Sequence, residues 1–230
     1  EIKPLILGGS ALGLNWVMLF SAYRLLNVSI STLIYYAGPM LVLLLSPILF
    51  KESLSIRKIL SIGLTGLGLV LISGSIILEK IEYRGLIFAI LSAVFYALLI
   101  VFNKQIRKTG GLETAAIELD MAFVVVLIYV LITEGLFQIS KGDLPYISVL
   151  GLVNTGLAYV LYFYRIQKLP GQSVALLSYI DPVSALIFST LFLNENMTGL
   201  QILGAGLIIG GAIFGELKKS SEEGDKYERI

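Results

Sequence analysis

The chain is predicted to be an all-α integral membrane protein, a multi-spanning helical bundle built from two inverted five-helix repeats, with eight of the ten helices present. Three observations predict this. The first is composition: 57% of residues are apolar and 14% charged, with a mean hydropathy of +0.89, whereas soluble domains carry roughly 25% charged residues. The second is a set of eight apolar segments, each close to the roughly 20 helical residues that cross a hydrocarbon core. Strands are set aside, because unpaired backbone is not tolerated in lipid and a barrel strand needs about half this length. The third is an internal repeat at an offset of 143 residues (Pro182 against Pro39, 182 − 39).

The first segment, Pro4–Tyr23, carries Leu7, Gly8, Gly13, Leu14, Val17 and Phe20. These return in the sixth, Pro145–Tyr164 and the residues around it, as Leu150, Gly151, Gly156, Leu157, Val160 and Phe163. In the second, Ser31–Phe50, Leu33, Tyr36, Pro39 and Ser46 foreshadow Leu176, Tyr179, Pro182 and Ser189 of the seventh, Ser173–Leu193. Ile59, Leu60, Gly63 and Gly68 of the third, Ile59–Leu78, return as Ile202, Leu203, Gly206 and Gly211 of the eighth, Thr198–Gly215, and Glu52 returns as Glu195. The fourth and fifth, Gly85–Asn103 and Thr114–Phe137, open the second unit; by the same offset their counterparts would begin about 60 residues before Glu1. The expected organisation is therefore the last three helices of a first repeat in residues 1–78, a complete second repeat in 79–217, and a charged tail in 218–230. Five is an odd number, so the second unit enters the membrane upside down relative to the first.

A tyrosine and a proline in mid-helix, a glutamate thirteen residues beyond the proline and then a glycine-rich helix form a pattern that occurs twice. It reads Tyr36-Ala37-Gly38-Pro39, Glu52 and Gly63 to Gly74, then Tyr179-Ile180-Asp181-Pro182, Glu195 and Gly204 to Gly215. In these residues the chain resembles the drug/metabolite transporter superfamily, specifically its EamA-type members, over everything before the tail. The resemblance implies ten helices in two inverted repeats, cytoplasmic ends and a central solute cavity. It also implies transport of amino acids, related metabolites, drugs or nucleotide sugars, with many bacterial members acting as exporters. The family often carries Glu before the second proline; Asp181 here draws the carboxylate back by one methylene.

The chain has no Cys and no His, which excludes disulfides, Cys/His metal sites and nucleophiles activated by histidine. No Gly-x-x-x-x-Gly-Lys-Ser/Thr loop is present, so ATP hydrolysis is not expected and transport would be secondary. No cofactor is expected. If Glu1 starts in the cytoplasm, all of the 17 Lys and Arg fall on that side except Arg24, Lys80, Arg84 and Lys141, as the positive-inside rule requires. That places both ends in the cytoplasm of a cell (plasma or inner) membrane. The net charge of +1 gives no reason to expect a nucleic-acid partner.

Asp181 is the leading candidate for substrate binding or coupling. An ionisable residue midway along a membrane helix is costly and faces a cavity or a partner. Pro182 frees the carbonyl of Ser178 beside it, and the symmetric Pro39 and Pro182 predict two equivalent helix breaks, with Tyr36 and Tyr179 one turn before them. Asp181 is expected to take a coupling proton or to meet a substrate ammonium; the alternative is a packing acid bonded to a neighbouring hydroxyl. Trp16 and Tyr159 are repeat mates in mid-helix, with Asn15 and Asn154 nearby and Tyr162 on the same face as Tyr159. Aromatic surfaces with a few amides suit a small organic solute, and ordinary aromatic packing is the alternative. Glu118 and Asp120 open the fifth segment, and for at least one of them the reading is an acid at a helix start, favoured there by the backbone dipole; being two residues apart, they cannot both face one lumen. Glu52 and Glu195 are read as helix-terminating acids. The pairs Gly9/Gly13, Gly206/Gly210 and Gly211/Gly215 mark close helix packing; they leave a homodimer open and do not establish one.

The expected function is secondary transport of small organic metabolites, amino acids or related compounds ahead of others, in the export direction, by alternating access at a central cavity. The partners are the lipid bilayer, a small-molecule solute and, through Asp181, protons. Two rivals stand beside it. Asp120 and Asp181 would have to form an aspartyl dyad in an intramembrane enzyme, but the Gly-x-Gly-Asp signature is absent. A channel or structural subunit would call for polar rings along a path.

Overall fold

The computed structural model describes residues 1–26, 28–51, 55–72, 82–135, 140, 142–193 and 198–216. Glu52, Glu195 and the tail lie outside the described residues. Eleven α-helices and one π-helical segment account for the order among those described, and no strand occurs among them. They are α1 (Ile2–Tyr23), α2 (Val28–Tyr35), α3 (Ala37–Leu49), α4 (Ile56–Ile72), α5 (Tyr83–Asn103), α6 (Gly111–Thr133), α7 (Leu144–Val149), α8 (Ala158–Ile166), α9 (Gly171–Leu177), α10 (Ile180–Leu193) and α11 (Gly199–Glu216), with the π-helical Leu150–Leu157 between α7 and α8.

Five of these helical stretches are long and apolar enough to cross a membrane: Ile2–Tyr23, Ile30–Leu49, Tyr83–Asn103, Gly111–Thr133 and Leu144–Ile166. The other three expected segments fall short for separate reasons. α4 is described over 17 residues, α11 appears as a shorter apolar helix, and the 173–193 segment is divided at Ser178 and Tyr179.

The two breaks have one cause. Proline has no N–H and its ring crowds the carbonyl four residues back. Pro39 thereby cannot donate to the carbonyl of Tyr35, and the helix turns at Tyr36 (φ −68°, ψ −2°), between α2 and α3. Pro182 stands in the same relation to Ser178, and the break between α9 and α10 falls there. Elsewhere helix ends are set locally. Gly135, at φ 73°, follows α6 and donates its N–H to the carbonyl of Val130, a left-handed glycine ending. The turn from α5 to α6 is tied to the start of α1: the Glu1 carboxylate accepts the backbone N–H groups of Arg107, Lys108 and Thr109. Desolvation raises the Glu1 carboxyl, but these bonds prevail and hold it below its ordinary value.

The chain forms two compact units. In the first, α1 packs against α5 and α6, α3 against α5 and α9, α2 against α5, and α8 against α6. The α1–α6 contact is a glycine face. A Cβ on Gly9 would lie 2.6 Å from the Glu118 carbonyl oxygen, and one on Gly13 would lie 2.8 Å from Val125 Cβ. In the second unit α4 packs along α11, and α10 touches α11. Gly68 and Gly204 face each other there, since a Cβ on either would come within 2.6 Å of the other's carbonyl oxygen. Ser61 Oγ donates to the Gly211 carbonyl at 2.6 Å. Gly206 and Gly210, expected as a packing pair, have nothing within 4 Å of an added Cβ. The face that packs uses Gly204, Ile208 and Gly211 instead, spaced by four and then three residues, so that they line one side of the helix.

Candidate functional site

The first unit gathers aromatic side chains from four helices. Trp16 of α1 and Tyr159 of α8, the repeat mates, meet edge to face with ring centroids 5.6 Å apart and planes at 74°, a favoured aromatic geometry. Tyr159 also contacts Tyr162 and Phe163 of its own helix, at 5.9 and 5.6 Å. Tyr35, at the end of α2, lies 5.6 Å from Tyr36 and 5.6 Å from Tyr96 of α5. The two sets join at Tyr162, whose hydroxyl is enclosed beside the phenols of Tyr96, Tyr159 and Tyr35. Helix periodicity explains the placement on α8: Tyr159 and Tyr162 are three residues apart and share a face.

Polar groups line this cluster sparsely. Tyr96 and the Ser178 hydroxyl are hydrogen-bonded, which ties α5 to the end of α9 at the helix break. Asn15 is buried and donates through Nδ2 to the Ser92 carbonyl at 2.7 Å, holding α1 to α5. Tyr162 Oη is buried beside the Tyr96 phenol, a polar atom inside an otherwise aromatic environment. The arrangement can stack or enclose an apolar or cationic group and direct one hydrogen bond to it.

The remaining sequence candidates are distributed as follows. Asn154 is exposed on the π-helical segment, and Tyr36 and Pro39 are buried at the first break. In the second unit Tyr179 and Pro182 are buried, while Asp181, in the first turn of α10, is exposed. Glu118 and Asp120 separate as their spacing requires, Asp120 exposed and Glu118 fully buried. The helix-start reading of Glu118 does not hold. α6 begins at Gly111, which puts Glu118 two turns inside, past the first turn where the backbone dipole acts. Its two oxygens are each 3.0 Å from Asn103 Nδ2. Tyr35 and Tyr96 were also missed. Tyr35 precedes a tyrosine that the repeat had marked, whereas nothing along the sequence of α5 sets Tyr96 apart from packing aromatics.

Comparison with known proteins agrees with this architecture. The profile of the EamA-like transporter family matches residues 2–74 and 83–215. An uncharacterized transporter of Bacillus subtilis, YxxF, is 28% identical over 96% of this chain and 74% of its own length. Protein PecM of Dickeya dadantii is 25% identical over 90% of this chain and 71% of its own. A probable amino-acid metabolite efflux pump of Salmonella typhimurium is 26% identical over 86% of this chain and 70% of its own. A crystal structure with 20% sequence identity shares the fold, with a TM-score of 0.80 over 94% of this chain and 76% of that one.

Proposed function

The chain belongs to the EamA-like transporter family, a multi-pass membrane protein with a small solute as its partner, and on that premise we propose that it exports amino acids or related metabolites. The observation that carries this reading is the aromatic cluster. Repeat mates Trp16 and Tyr159 meet there, and Tyr162 Oη is enclosed beside the Tyr96 phenol. In a repeat-built transporter, solute sites form where the two repeats come together. An amino-acid side chain would stack on the rings while its polar end takes the Tyr162 hydroxyl. Alternating access would expose the bound solute to each side in turn, with both chain ends in the cytoplasm of a cell membrane. The reading is supported by the family and by the efflux pump among the relatives, and it favours a carrier over an enzyme or channel.

Counterflow of a labelled mixture of the standard amino acids in proteoliposomes tests it. The full-length protein should show saturable, accelerated exchange. Tyr159→Ala should raise the half-saturating concentration about tenfold, from loss of roughly 1.4 kcal/mol of stacking. Exchange absent for every amino acid would remove the substrate assignment.

A further inference from the structure

Glu118 lies seven residues past Gly111 on α6, about 10 Å along the helix axis. It is 0% exposed. The space it fills exists because α1 has a glycine there: a Cβ on Gly8 would stand 2.3 Å from Glu118 Oε1. Its hydrogen-bonding partner is Asn103, at the end of α5. Asn103 Nδ2 donates to the Leu99 carbonyl at 3.1 Å and reaches both Glu118 oxygens at 3.0 Å. An amide nitrogen carries two hydrogens; with one on Leu99, a single N–H is shared between two carboxyl oxygens. Asn103 Oδ1, meanwhile, is buried with no donor among the described residues.

Among the described residues no charge offsets this acid. The charged residues on the elements around it are Lys3 on α1, Arg84 on α5 with Lys104 just after it, Arg165 on α8, and Glu113 and Asp120 on α6 itself; among the described residues the polar partner of its carboxyl is Asn103. A buried carboxylate without a cation is costly, and so is a buried acceptor without a donor. One proton relieves both. The O–H of a neutral Glu118 can donate to Asn103 Oδ1 after a small turn of the amide, while Nδ2 donates to the other carboxyl oxygen. Release of the proton restores the shared N–H seen in the structure. We infer that Glu118, paired with Asn103 in the space left by Gly8, is the group that carries a proton through the transport cycle. It takes H⁺ from hydronium on one side of the membrane and returns it to water on the other, and no other bond changes. A shift of α1 along its glycine face would open the carboxyl to water. The inference rests on the carrier reading and moves the coupling proton expected at Asp181 to Glu118.

Infrared spectroscopy of the full-length protein in lipid tests the site without a solute. The carbonyl band of a protonated carboxyl should disappear as the pH is raised between about 5 and 9. The band should be missing in Glu118→Gln, persist in Asp120→Asn and shift in Asn103→Leu. In proteoliposomes, Glu118→Gln should lose accumulation of the labelled amino-acid mixture driven by a pH gradient while keeping counterflow exchange. A band that is constant across this range, a band retained in Glu118→Gln, or gradient-driven accumulation that survives Glu118→Gln would overturn the inference. If the wild type exchanges no amino acid, the substrate reading fails and the infrared titration alone decides for or against Glu118.

Discussion

Gly8 and Gly151 occupy the same place in the repeat, yet a Cβ added to Gly8 would strike the Glu118 carboxyl and one added to Gly151 would meet nothing within 4 Å. The same contrast runs along the two segments. In the most apolar window of α1, 56% of residues are buried; in that of its mate, Leu144–Ile166, the share is 0%. The neighbours are what differ. α1 lies along both α5 and α6, whereas the mate meets α6, and α5 more briefly, through its α8 end. Where the mate does touch α6 its residues are enclosed: Phe163 and Ile166 are buried, and Tyr164 backbone sits against Gly111. The position following Gly8 makes the point in sequence. It is Gly9 in α1, in contact with α6 backbone, and Leu152 in the mate, 74% exposed. Shared ancestry in a repeat preserves helix-forming pattern, while the choice between a small residue and a large one follows what the helix is pressed against.

The largest effect should come from testing that contrast directly. Gly9→Ala would force a methyl against the carbonyl and Cα of Glu118, and backbone cannot rotate away as a side chain can. Thermal unfolding in detergent should show a loss of about 1–3 kcal/mol. Gly151→Ala should instead be neutral or gain up to about 1 kcal/mol from helix propensity. Equal losses at the two positions would mean that the mate is as closely packed as α1.

A smaller effect is expected at Asn15, whose mate is Ala158. Replacing Asn15 by Ala removes the 2.7 Å bond to the Ser92 carbonyl and should cost about 1 kcal/mol, read from the same unfolding curves. No loss would show that the α1–α5 contact holds without this bond. The smallest is at the helix ends. Arg24 and Gln167 are also repeat mates, and both reach α6: Arg24 Nη1 bonds Glu134 at 2.6 Å beyond its last turn, and Gln167 Nε2 bonds Thr114 at 3.0 Å in its first. The Arg24–Glu134 pair is open to solvent, so Arg24→Gln should leave the unfolding curve nearly unchanged. A double-mutant cycle with Glu134→Gln would expose any larger coupling.

Much of the fold was legible. Apolar segments of spanning length announced membrane helices, and two prolines at one repeat position announced two breaks, which fall at Tyr36 and at Ser178 and Tyr179. The pairing of Trp16 with Tyr159 was also within reach, because the repeat singled them out. Glu118 was not. Position near the start of an apolar run suggested a helix terminus, but Gly111 already begins the helix, and only the approach of α1 and α5 encloses the acid. Of the glycine motifs, Gly9/Gly13 does mark the α1–α6 contact, whereas Gly206/Gly210 lies off the face of α11 that meets α4, because spacing alone does not say which face packs.

What the sequence by itself determined is the set of properties local to one segment: length, apolarity, proline breaks and the repeat that relates one segment to another. Backbone hydrogen bonding in lipid must be satisfied within each helix, so these features are decided before any two helices touch. The tertiary structure alone decided which glycines admit a neighbouring backbone, which tyrosines converge and which acid is sealed from solvent. Those depend on the rotation and approach of separate helices, and in lipid such contacts are selected by van der Waals fit and polar pairing rather than by apolar pattern, which every face of a membrane helix shares.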